Sequence, residues 1–66
     1  MKIEIEQEDD GRWIAEIADI PGVMTYGETR EEAINRAEAL ALRVIADKID
    51  HNERVPELKD LFSLSA

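Results

Sequence analysis

Residues 17–33 read IADIPGVMTYGETREEA, and the way this stretch bends decides the fold of the whole chain. Pro21 restrains φ and Gly22 is free to take a positive φ, so Ile20-Pro21-Gly22-Val23 reads as a type II turn with Pro21 and Gly22 at its centre. A short strand, Val23 to Tyr26, leaves that turn. Gly27 then lets the chain swing into Thr29-Arg30-Glu31-Glu32, the signature of a helix start: Thr29 is the N-cap and Glu32 the returning acid of a capping box. Glu28, Glu31 and Glu32 also stand where the helix dipole favours negative charge.

Toward the C-terminus the helix runs over residues 30–49. Ala33, Ile34, Ala37, Leu40, Ala41, Val44, Ile45 and Ile49 follow the three-and-four spacing of a stripe that covers one sheet face, and Glu32 to Arg36 is a supportive i,i+4 pair on the outer side. Ala39 and Leu42 lie off the stripe and widen the apolar arc. Asp50-His51-Asn52 closes the helix, with Asn52 suited to the left-handed residue after the cap. Residues 59–65, KDLFSLS, read as a short fourth strand.

Toward the N-terminus, residues 2–7, KIEIEQ, alternate strictly and place Ile3 and Ile5 on one face with Glu4 and Glu6 on the other. Residues 12–18, RWIAEIA, form the next strand. Register selects the connection. A two-residue Asp10-Gly11 turn sets Ile5 opposite Glu16 and mixes the faces. A three-residue loop, Asp9-Asp10-Gly11, closed by Glu8 and Arg12, sets Ile3 opposite Ile17, Ile5 opposite Ala15 and Gln7 opposite Trp13, which keeps one face apolar. It also pairs Glu8 with Arg12 across the strands, leaves Ile14 on the outer face and puts Glu4 opposite Glu16. The expected fold is therefore α+β, β-β-β-α-β, a small antiparallel sheet with one long helix packed on one face, in a single domain spanning residues 1–66.

A chain of 66 residues buries only about 60% of the surface its unfolded form exposes, so its core is marginal. With no cysteine and one histidine, neither disulfides nor a metal reinforce it, and self-association is expected. Ile14, Met24 and Leu42 are the apolar positions expected at a homodimer contact. No run approaches a membrane span, and MKIEIEQEDD is too acidic for a signal peptide, so a cytoplasmic protein is expected. Sixteen acids against eight bases give a net charge of −8, which repels phosphate backbones and argues against direct nucleic-acid binding. The excess is concentrated in residues 1–32, which hold ten acids and three bases, while residues 33–66 hold six and five.

No motif for catalysis emerges. Glu6, Glu8, Asp9 and Asp10 invite a magnesium site, but alternate strand residues point to opposite faces and the aspartates occupy a hairpin tip, so a solvated acidic turn is the simpler reading. Ser63, Ser65, Thr25 and Thr29 have no base at an interpretable spacing, and His51 has no second ligand nearby. Neither a cofactor nor a metal is expected, and the chain does not read as an enzyme.

Gly11-Arg12-Trp13-Ile14-Ala15-Glu16-Ile17-Ala18-Asp19-Ile20-Pro21-Gly22, followed by Thr25-Tyr26-Gly27-Glu28-Thr29-Arg30-Glu31-Glu32-Ala33, resembles the HicB-like family of small antitoxins. The pattern is an acidic hairpin ending in Gly, an aromatic-led strand, an Asp-apolar-Pro-Gly turn, a short strand running into Gly-acid-Thr, and a Glu-Glu-Ala helix start; Val55-Pro56 looks like the element after the helix. The resemblance implies a partial ribonuclease H-like fold without that enzyme's catalytic acids. It implies a role as well, that of masking a small basic, mRNA-cleaving toxin of the HicA-like type. Glu4, Glu6, Glu8, Asp9, Asp10 and Glu16 are then the expected contacts, since complementary potentials speed association. Longer relatives carry a C-terminal DNA-binding segment; this chain stops before one would fit, so autorepression is not expected. Val23 stands where the family often has cysteine. A dimeric adaptor of the same fold, binding another protein or a small ligand, is the alternative.

Overall fold

The computed structural model describes residues 1–56. They form β1 (Glu4–Gln7), β2 (Trp13–Glu16), β3 (Met24–Gly27) and α1 (Arg30–Asp50). The three strands make an antiparallel sheet in the order β1-β2-β3, and α1 lies across one face of it, so the chain has an α+β fold. The fourth strand expected at residues 59–65 lies outside the described residues.

Register follows the hydrophobic pattern. Ile5 pairs with Ala15, Gln7 with Trp13 and Glu4 with Glu16, as the three-residue hairpin requires. The Glu8 amide donates to the Arg12 carbonyl at 2.7 Å and the Gly11 amide to the Glu8 carbonyl at 2.9 Å, which closes the loop. The charge pairing differs from expectation: the Arg12 guanidinium turns to Asp10, at 2.8 Å, instead of crossing to Glu8. Asp10 is two residues away and already accepts the Arg12 amide, so the shorter reach wins.

The Pro21-Gly22 turn forms as read, with the Val23 amide donating to the Ile20 carbonyl at 3.2 Å and Gly22 at φ 87°. A second turn precedes it, closed by the Ile20 amide on the Ile17 carbonyl at 3.1 Å. These back-to-back turns end β2 at Glu16, two residues before the expected end, and drive Ile17, Ile20 and Val23 into the interior. Among the described residues, three of the nine buried core residues thus come from one stretch of seven. At roughly 1.5–3 kcal/mol for each buried large aliphatic side chain, this turn cluster contributes more than any helix cap.

Against it packs a line of small residues, Ala33, Ala37 and Ala41, continued by Ile45, all on one side of α1. Ile3, Ile5, Trp13, Leu40 and Val44 close around this core. The helix starts and stops by local chemistry. Thr29 Oγ1 accepts the Glu32 amide at 3.0 Å, and Glu32 Oε1 accepts the amide of Glu28, one residue ahead of the cap, at 3.2 Å. Glu32 also meets Arg36 at 3.1 Å, the expected i,i+4 pair. At the other end Asn52 takes φ 58°, its amide donates to the Ile49 carbonyl at 3.0 Å, and the Glu53 amide reaches the Lys48 carbonyl at 2.8 Å, a complete Schellman closure.

Gly27 has a task beyond flexibility. A Cβ built there meets the Ala33 backbone nitrogen at 2.5 Å and its Cα at 3.0 Å, so the first turn of α1 sits directly on the end of β3. Replacing Gly27 by Ala brings an unfolded-state gain of about 0.4–1 kcal/mol against an overpacking cost of about 1–3 kcal/mol. The clash is with backbone, which cannot rotate away, so the cost wins. Gly27→Ala is expected to lower Tm by roughly 5–10 °C in a calorimetric scan; an unchanged Tm would show that the helix start is not held against β3.

Candidate partner-binding face

Because α1 covers the side of the sheet that carries Ile5, Ala15 and Thr25, the residues alternating with them stand on the opposite, outer side. Register arranges that side in two cross-strand rows. One runs Glu4, Glu16, Met24; the other runs Glu6, Ile14, Tyr26. Adjacent strands lie about 4.8 Å apart, so each row is one continuous line of side chains. Ile14 is half-buried among its neighbours, while Met24 and Tyr26 are 49% and 39% exposed. Glu4, Glu6 and Glu16 are exposed, and among the described residues the ion pairs involve none of them. They border a shallow concavity of about 140 Å³ with Ile14 among its lining residues.

The hairpin tip is a different environment. Asp10 accepts the Arg12 amide at 3.0 Å through one oxygen and the Arg12 guanidinium at 2.8 Å through the other. The backbone hydrogen bond from Arg12, reinforced by its side chain, holds the Asp10 carboxyl below the ordinary value of 3.8. The guanidinium also lies over the Tyr26 ring, 4.9 Å from its centroid, which ties the tip to the end of β3. Asp10 therefore spends its charge within the chain.

The six acids read from the sequence as contacts thus fall into two groups. Glu4, Glu6 and Glu16 share the outer face, whereas Glu8 is half-buried at the hairpin closure and Asp9 and Asp10 occupy the tip. Ile14 and Met24 stand on the same outer face, but Leu42 does not. It is 58% exposed on α1, beside a separate apolar hollow lined by Met1, Ile3, Ile17 and Ala41. No single flat contact takes in all three. Tyr26 is the outer-face residue the sequence reading passed over, although the turn at Pro21-Gly22 already implies its place beside Ile14. Among the described residues no group of three His, Cys, Asp or Glu side chains converges as metal ligands would, and no helix is long and apolar enough to cross a membrane.

The Asp10 geometry gives a pH dependence. A carboxyl whose folded pKa lies below its unfolded one adds stability above the unfolded value and loses it as pH falls through the folded value. Asp10→Asn is expected to lower Tm near neutral pH and to match the parent chain at pH about 2. In an NMR titration Arg12→Ala, which removes the guanidinium and keeps the amide of residue 12, is expected to bring the Asp10 carboxyl only part of the way back toward 3.8; an unmoved titration would remove the guanidinium as a cause.

Comparison with known families places the chain. The model described as HicB_like antitoxin of bacterial toxin-antitoxin system matches residues 1–66. No curated protein and no solved structure matches.

Proposed function

The chain belongs to the HicB-like antitoxin family, and from that premise we propose that it binds and masks a small, basic, mRNA-cleaving toxin of the HicA-like type in the cytoplasm. The family match over residues 1–66 is the observation that carries this reading. Charge supports it: the net of −8 is set mainly by residues 1–32, which contain all three strands of the described residues. A protein that grips RNA needs a basic surface, and carboxylates presented in place of phosphates compete for the same cations. Inhibition on this reading is occlusion. The antitoxin contributes surface and charge, and no side chain of it does chemistry on the RNA.

Two consequences follow from charge. Association is steered, so its rate constant falls steeply with ionic strength while dissociation changes less, with a drop of about tenfold or more between ~0.05 and ~0.5 M salt. Second, the partner is a basic chain, and the natural place to seek it is the reading frame beside this one. Co-expression is expected to restore growth and protect mRNA in cells producing that basic protein, and the two chains are expected to co-purify. Failure of the basic neighbour to arrest growth, or arrest that this chain does not relieve, would overturn the reading.

A further inference from the structure

The match to an antitoxin family leaves open which surface meets the partner, and the structure separates two acidic regions that the sequence runs together. We propose that the outer face of the sheet is the docking surface, with Ile14, Met24 and Tyr26 as its apolar centre and Glu4, Glu6 and Glu16 as its charged surround, and that the hairpin tip is peripheral. The proposal rests on the reading that this chain binds a basic protein.

Three observations select this face. The first is cover: α1 lies on the other side of the sheet, and Met24 and Tyr26 keep 49% and 39% of their surface exposed, with only the Arg12 guanidinium resting over the Tyr26 ring among the described residues. Their neighbour Ile14 joins them into one patch across β2 and β3. An apolar centre with a charged surround is the composition of a protein interface core and rim. The second is unspent charge. Glu4 and Glu16 are directly opposite each other in the ladder, a mutually repelling like-charge pair, and among the described residues no basic group lies within ion-pair distance of them or of Glu6. Asp10, by contrast, is already satisfied by Arg12.

The third is shape. The concavity lined by Glu4, Ile5, Glu6, Ile14 and Glu16 sets Ile14 among three carboxylate residues. That suits the aliphatic stem of a partner's arginine or lysine laid over Ile14 with its cationic end between Glu4 and Glu16, where it relieves their repulsion. These features also decide the occupant. A second copy of this chain, related by a two-fold axis, would bring three carboxylates against three more, so the surface fits a basic partner and opposes self-pairing.

The test is binding of the full chain to the basic protein encoded beside it, made in an inactive form, measured by calorimetry. Glu4→Lys with Glu16→Lys, and separately Ile14→Asp, are expected to weaken Kd by 30-fold or more, while Asp9→Asn with Asp10→Asn stays within threefold. Ile14→Asp risks the fold, so Met24→Ser with Tyr26→Ser is the second apolar variant, and circular dichroism verifies that each remains folded. If tip variants lose binding and outer-face variants keep it, the docking surface is overturned and the antitoxin reading survives. If the parent chain does not bind, the antitoxin reading fails and this proposal with it. A parent homodimer that Ile14→Asp splits into monomers would also overturn it, because the face would then belong to a second copy.

Discussion

The structure depends on how closely one helix is allowed to approach a three-stranded sheet. Gly27 has no side chain where the first turn of α1 crosses β3, and Ala33, Ala37 and Ala41 keep the facing side of the helix thin. Over the first half of the helix the gap is filled from the turns: Ile17, Ile20 and Val23 fold inward from the Pro21-Gly22 junction into the core that holds the alanine line, which Ile45 continues. Large residues supplied by a rigid double turn and small ones by the helix produce a dense core from few residues. In so short a chain that economy matters, because the balance between burial and chain entropy is narrow.

This packing also determines what is left outside. Among the described residues the helix is committed to one side of the sheet, and strict alternation along β1 and β2 delivers Glu4, Glu6 and Glu16 to the other side together with Ile14. The core and the exposed acids therefore use alternate residues of the same strands. Carboxylates on the outer face cost the fold little individually, since they are solvated, but they form a field with one sign. Arg12 is the exception that limits it. By pairing Asp10 and resting on Tyr26, it reduces the free negative charge of the hairpin tip, while Glu4, Glu6 and Glu16 on the flat of the sheet are in no ion pair among the described residues.

Much of this was legible in the sequence because each element has a local cause. The hairpin register follows from keeping Ile3, Ile5, Ala15 and Ile17 on one face; the turn follows from Pro21-Gly22; the helix start follows from Thr29 and Glu32. What escaped was side-chain choice among near neighbours. Arg12 had acids on either side, and only the bend of the loop shows that Asp10 is within reach of both its amide and its guanidinium. Glu32 satisfied Glu28 in place of the cap residue for the same reason. Ile14 and Met24 lie on the outer face of the sheet and Leu42 on the helix, a separation that spacing along a sequence does not give. Tyr26 does not stand out in the sequence, because the run Val23 to Tyr26 gives β3 a length but not a face.

The most direct measurement is methyl NMR on the full chain titrated with its basic partner. Signals from Ile14 and Met24 are expected to shift and broaden together, with Ile45 in the core and Leu42 on the helix unmoved. Shifts confined to Leu42 and its neighbours, with Ile14 and Met24 unchanged, would contradict the assignment of the outer sheet face as the surface that recognition uses.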